Sequence, residues 1–260
     1  MTRTEGRDMA KSFDRIADRF DQTRSYPDEV MARVLEAVAG AMEPGSGVLD
    51  AGAGTGRFAL PLQRRGFEVV GVDVSRRMLG KAADKGARDL VMSDVCALPF
   101  RDMSFDYALS VHLIHLIPDW RVALSEIGRV TRTALVSVVS DKAGSEVEAV
   151  RECYRGACRD LGYEVRHAGP MERELPAFLA PDSKVRVTAH EAPVDVRAIL
   201  DDYETRTFSD QWDVPEEVHR RAVGALRERY GGAGTVVRRE EISLLVWGAD
   251  RVRAAGRGTC

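Results

Sequence analysis

From Leu49 to Arg57 the chain reads Leu-Asp-Ala-Gly-Ala-Gly-Thr-Gly-Arg, three alternating glycines introduced by an acid. Glycine enters left-handed backbone conformations at little cost and carries no Cβ. Such a run can turn sharply and let a ligand approach bare backbone and its N–H groups. The spacing is Gly52-x-Gly54-x-Gly56, and Arg57 stands where a dinucleotide fingerprint has its third glycine. No Gly-Lys-[Ser/Thr] follows, which argues against a triphosphate loop. Two further acids lie downstream: Asp73 closes a β-rich run over Phe67–Val72, and Asp94 closes a short one over Leu90–Met92. Any one of these acids would serve equally well as a helix N-cap or loop solvator. Acids at the ends of three successive strands are different, because open α/β sheets bind ligands beyond the carboxyl ends of their strands. There Asp73 could accept hydrogen bonds from a ribose diol, and Asp94 from an adenine amino group.

His112 and His115 follow a fourth apolar run, Phe105–Val111. Histidine titrates near neutrality, so either could take a proton from an oxygen, nitrogen or carbon acid. The competing role is structural, capping the loop or packing beside Leu113, Leu116 and Trp120.

The elements that must position these residues follow a strand–helix rhythm. Pro44-Gly45-Ser46-Gly47 is a turn, Val48-Leu49 opens the first strand, and helices are expected over 57–65, from Ser75 to Lys85, and over 120–130. A fifth strand is expected over 134–139. Alternation of this kind implies a doubly wound, mostly parallel sheet. Ahead of it, Phe13, Ile16, Ala17 and Phe20 recur at helical spacing, and Val30, Val34, Leu35 and Val38 form a second stripe that Pro27 is placed to begin. Later, helices are expected over 145–161, 194–203 and 215–230, with strands over 184–190 and 236–247. Residues 1–43 are therefore expected to form an N-terminal helical cap and 44–260 the main α/β domain, with helices that select the substrate within 145–235.

With these motifs in place, the chain resembles the class I S-adenosylmethionine (AdoMet)-dependent methyltransferases. VLDAGAGTGRFALPL, VVGVDVSRRML and SDVCALPFRDMSFDYALSVHLIHLIPDW resemble that family's successive signatures, nearest to the quinone-biosynthesis and small-molecule group. The resemblance covers about residues 10–140. It implies a Rossmann-like sheet of seven strands, the last antiparallel. It further implies that Gly52, Gly54 and Gly56 pass under the methionine moiety and that Asp50 holds the cofactor's amino group. Asp73 would bind the ribose, with Val74 and Met78 against the adenine. Asp94 would take the adenine amino group and the Val95 N–H a ring nitrogen, with Val111 flanking the methyl. Phe20 and Arg24 match N-terminal positions that close over the cofactor. Tyr26 and Trp212 are candidates to line the acceptor pocket; the alternative for each is a packing role. One departure is visible. The family's Pro-Gly-Gly before the fifth strand is replaced by Thr131-Arg132-Thr133, expected to be an altered surface turn.

Composition bounds the alternatives. A net charge of −3 argues against a large nucleic-acid footprint and so against a tRNA-modifying enzyme. Cys96, Cys153, Cys158 and Cys260 show no zinc spacing, so no metal site is expected. Without a recognisable signal peptide they are expected to be thiols of a cytoplasmic protein. No apolar run approaches the ~20 residues needed to span a bilayer. The expected reaction passes a methyl group from AdoMet to a small-molecule acceptor, releasing S-adenosylhomocysteine. A non-catalytic AdoMet-binding subunit and a nicotinamide oxidoreductase are the competing classes.

Overall fold

The computed structural model describes residues 13, 14, 17, 18, 20, 21, 26–232 and 234–255. The described chain runs α1 (Asp28–Gly40), β1 (Gly47–Ala51), α2 (Ala59–Arg64), β2 (Glu68–Asp73), α3 (Arg76–Asp84), β3 (Leu90–Met92), β4 (Phe105–Ser110), α4 (Trp120–Val130) and β5 (Thr131–Asp141). It continues α5 (Glu146–Asp160), β6 (Ser183–Asp195), α6 (Val196–Glu204), α7 (Glu216–Tyr230), β7 (Thr235–Gly248) and α8 (Ala249–Ala255). Short 3₁₀ segments lie at Ile114–Leu116, Glu172–Ala177 and Ser209–Gln211.

The strands form one sheet of order β3-β2-β1-β4-β5-β7-β6, parallel except for the antiparallel last strand. β1 pairs with β2 on one side, Asp50 opposite Gly71, and with β4 on the other, Ala51 opposite Ser110. The chain order reverses at β1, so the crossovers leave a crevice between the carboxyl ends of β1 and β4. The strands beside it are apolar on both faces, as a covered parallel sheet requires: Val48, Leu49 and Ala51 in β1, Ala108 and Leu109 in β4 are fully buried.

The described residues up to Val139, with Ala168–Val187 and those from Ser243 onward, form one compact unit; Ser140–His167 and Thr188–Ile242 form a second. The first has a core built on Leu49, Ala108, Ile127, Leu135 and Trp247. The second is helical and closes on Val150, Tyr154, Tyr203 and Leu226. Within the 145–235 segment, residues 168–187 therefore belong with the sheet unit rather than with the helices on either side.

Two local expectations are corrected. Thr131-Arg132-Thr133 is not a turn. Thr131 ends α4 and begins β5 at once, fully buried, with its hydroxyl donating to the Ile127 carbonyl at 2.7 Å and its backbone opposite Phe105. The second concerns β6, which runs on to Asp195 where a helix was expected from Val194. β6 is the edge of the sheet, where Pro193 leaves no ladder bond unmade, and the helix waits for Asp195, which caps α6 by accepting the Arg197 N–H at 2.8 Å.

Candidate active site at the switch point of the sheet

The glycine loop leaves β1 directly into the crevice. Gly52, Gly54 and Gly56 all adopt positive φ, +75°, +55° and +75°. A Cβ on Gly52 would lie 2.8 Å from Leu113 Cδ1, and one on Gly56 would lie 3.1 Å from Ala82 Cβ. Backbone conformation thus disfavours a side chain at both positions, and the space beside each is tight. The loop's N–H groups were expected to face a ligand, but the structure engages most of them internally. Those of Gly52 and Ala53 donate to the Val72 carbonyl at 2.8 and 2.9 Å, that of Gly56 to Ala53 at 2.9 Å, and that of Gly54 to Asp73 Oδ2 at 2.9 Å. A phosphate cradle needs such groups free. This loop offers bare backbone beside carboxylates instead, which suits an uncharged or cationic ligand.

The acids confirm that polarity. Asp50, on β1, is 3% exposed, and its Oδ2 has no hydrogen-bond partner among the described residues. Burial, with the charge of Asp73 adding, pushes its carboxyl up to about 7 against the opposing N–H of Ala59. Asp73 is raised by burial too, while the N–H groups of Ser75 and Gly54 hold it down. Its Oδ1 accepts from Ser75 N at 2.8 Å, and Ser75 in turn caps α3 through the Met78 N–H. Met78 Cε lies 3.4 Å from where a Cβ of Gly54 would stand. Asp94 follows β3 and accepts the Cys96 N–H at 2.8 Å, with Val95 buried beside it.

Asp94, Asp73, the Asp50 loop and Val111 thus stand in order at the ends of four adjacent strands. Three strand spacings amount to ~14 Å, the scale of a nucleoside joined to an amino acid. A buried carboxylate oxygen with no partner among the described residues, glycines whose positive φ excludes a side chain, and acids at three of the four strand ends together fit an adenosyl group carrying an ammonium.

The loop after β4 forms the other wall. His112 holds a left-handed conformation, φ +56°, and is half-buried. Leu113 packs on Gly52. His115 is buried in the 3₁₀ turn, its Nδ1 3.6 Å from Oε2 of Glu172. Glu172 also accepts the N–H groups of Leu113 and, at 3.1 Å, Ile114. Burial alone would raise its pKa, but the neighbouring imidazoles, His115 foremost and then His112, hold it well below the usual carboxylate range.

Phe20 packs edge-on to Phe13, ring centroids 5.7 Å apart. Tyr26 lies under the Arg57 guanidinium at 4.5 Å, beside the glycine loop. Arg24 lies outside the described residues. Trp212 belongs to the helical unit, where its indole N–H donates to the Arg206 carbonyl at 2.8 Å.

Sequence reasoning missed two features. Asp14, Asp18 and Asp21 reach Ser75, Arg77, Lys81, Lys85 and Thr55: Thr55 Oγ1 donates to Asp21 at 2.5 Å, and Arg77 and Lys81 each lie 2.8 Å from Asp18. Their spacings, i, i+4, i+7 against i, i+4, i+8, are complementary helical stripes that were legible. Glu172 gave no signal, being 59 residues from Leu113.

With this geometry in place, the comparisons can be set beside it. Residues 49–134 match the family model described as a methyltransferase domain. The match spans β1 through β4 and the start of β5, the part of the sheet that carries the crevice. Over these residues the chain is similar to the class I S-adenosylmethionine-dependent methyltransferases. Among curated proteins, it is 32% identical over 148 residues to a malonyl-[acyl-carrier protein] O-methyltransferase of Hamiltonella defensa, covering 56% of this chain and 57% of that protein. It is 33% identical over 92 residues to a demethylmenaquinone methyltransferase of Staphylococcus saprophyticus, covering 34% and 40%. The chain thus spans about half, or less, of the length of these relatives. The YcgJ protein of Bacillus subtilis shares the fold, with a TM-score of 0.55 at 18% identity over 85% of this chain and 99% of that one. Among the described residues no helix is long and apolar enough to cross a membrane.

Proposed function

We propose that this protein transfers a methyl group from AdoMet to a small-molecule acceptor by in-line displacement. The observation that carries it is the buried Asp50 oxygen without a partner among the described residues, at the mouth of a glycine loop whose N–H groups are largely engaged within the protein. When bound, AdoMet supplies a methyl group made electrophilic by its sulfonium. Asp50 would face the ammonium, directly or through water, and Asp73 the ribose diol. Asp94 and the Val95 N–H would face the adenine, with Val74 and Met78 against its ring and Val111 beside the methyl. Phe20 and Arg24 would cover the methionine end, and Tyr26 and Trp212 would line the acceptor.

With the electrophile supplied, the protein's own task is alignment, an effect worth ~7–11 kcal/mol, whereas a general base adds only ~10²–10⁴-fold. His112 is the better-placed base of the two histidines. His115 is more deeply buried and turned to Glu172. The malonyl and quinone relatives favour a small oxygen or carbon acid as acceptor over a nucleic acid, in keeping with the net charge of −3. The test is a screen of small carboxylic acids, phenols and quinols with methyl-labelled AdoMet, followed by His112→Ala on the acceptor found. Label transfer to a small molecule is expected. Transfer only to tRNA, or to nothing while AdoMet binds, would reject the small-molecule reading.

A further inference from the structure

The polypeptide returns from the helical unit at Ala168 and at once makes two contacts with the loop after β4. The Gly169 N–H donates to the His115 carbonyl at 3.1 Å, and a Cβ there would lie 2.8 Å from the Ile117 carbonyl oxygen, with Ile114 O nearer still. Three residues on, the Glu172 carboxylate, 3% exposed, takes the Leu113 and Ile114 N–H groups on one oxygen and faces His115 Nδ1 with the other. These are the first amides of a single 3₁₀ turn, donors with no partner inside so short a helix. The side chain next to that anchor, Leu113, occupies the space against Gly52 that a Cβ would need. His112 precedes it in a left-handed conformation that a non-glycine residue holds only when its surroundings insist.

The geometry points to Glu172 as a positioning residue: its carboxylate holds the 112–116 loop in the form that seats Leu113 on Gly52 and presents His112, and so sets affinity for the cofactor. This rests on the proposed AdoMet site, but the anchoring itself can be tested without it. A buried carboxylate satisfied by several N–H donors stays ionised, so the anchor should hold across the neutral range. Removing it would strand the Leu113 and Ile114 amides.

The test combines Glu172→Gln, Glu172→Ala and Leu113→Ala with two readouts. The first is amide exchange at Leu113 and Ile114 in the ligand-free protein. Protection is expected in the wild type and in Glu172→Gln, whose amide oxygen can still accept, and its loss in Glu172→Ala. The second is S-adenosylhomocysteine affinity by calorimetry. Glu172→Ala is expected to weaken it about tenfold or more, with partial rescue in Glu172→Gln. Combined with Leu113→Ala it should add little, because both act through one contact. A merely structural role would lower the melting temperature and leave the cycle additive. Unchanged exchange at Leu113 and Ile114, or losses that multiply, would overturn the assignment. If the wild type binds no S-adenosylhomocysteine, the proposed function fails and exchange alone decides the anchor. Should Glu172→Ala not fold, Glu172→Gln with Leu113→Ala still closes the cycle.

Discussion

The two compact units bury polar groups to opposite ends. In the sheet unit three acids flank the crevice, beside neutral buried groups such as Ser75, Ser110 and Thr131: Asp50 with an oxygen that has no partner among the described residues, Asp73 gripping the glycine loop, Glu172 gripping the loop opposite. In the helical unit the central pair is neutral. Tyr154 OH lies 2.6 Å from His219 Nδ1, which ties α5 to α7. Burial raises the Tyr154 phenol and lowers the His219 imidazole, so both stay uncharged at neutral pH. A buried charge is held at a cost and usually serves a ligand or a mechanism. A buried neutral pair holds helices together. The contrast assigns cofactor chemistry to the first unit and architecture to this part of the second.

That contrast can be broken most forcefully at Asp73. Replacing it with Ala removes the proposed ribose acceptor and strands the Gly54 and Ser75 N–H groups. The expected result is loss of measurable S-adenosylhomocysteine binding by calorimetry, together with about 1–3 kcal/mol of stability in urea titration. Binding at wild-type affinity would show that the acid merely braces the glycine loop and the Ser75 turn. Next in size is Tyr154→Phe, which should leave His219 without its hydroxyl partner and cost about 1–3 kcal/mol, with cofactor affinity unchanged. A selective loss of affinity there would erase the distinction between the units. A smaller effect is expected from Trp212→Phe, which gives up one hydrogen bond to Arg206, about 0.5–1.5 kcal/mol by thermal melts. A raised KM for the acceptor is expected beside it, and an unchanged KM would leave Trp212 a packing role only. The smallest belongs to Asp18→Asn, which removes exposed ion pairs to Arg77 and Lys81. It should change stability barely above error, and the change should vanish in high salt.

Legibility in the sequence tracked the same division. Asp50, Gly52, Asp73 and Asp94 could be read because a strand end, a positive φ and a close approach each restrict the residue type, and all three recur at fixed spacing in a parallel sheet. The doubly wound, mostly parallel sheet followed from the alternation of strands and helices. Glu172 and the Tyr154–His219 pair could not be read, since nothing local distinguishes a glutamate or histidine that a distant loop or helix will bury. The turn expected at Thr131 failed for a related reason. Whether a helix passes straight into a strand depends on what its last turn packs against, here Arg253 of α8, whose guanidinium bonds the Gly128 and Thr131 carbonyls.

The central claim, that Asp50 waits for a cationic group of the cofactor, is tested most directly by the pH dependence of S-adenosylhomocysteine affinity. With its carboxyl raised to about 7, Asp50 is half protonated at neutrality, and an ammonium beside it would favour the ionised form. Affinity should therefore be flat above pH 7 and fall up to about tenfold per pH unit below it. The ligand-free protein should behave oppositely. From pH 4 to 7 the folded state holds the proton that the unfolded state gives up, so stability should fall as pH rises. Asp50→Asn should abolish both trends and weaken binding at pH 8. Calorimetry from pH 5.5 to 8.5 that finds no binding, or a pH-independent affinity that Asp50→Asn leaves untouched, would contradict the account.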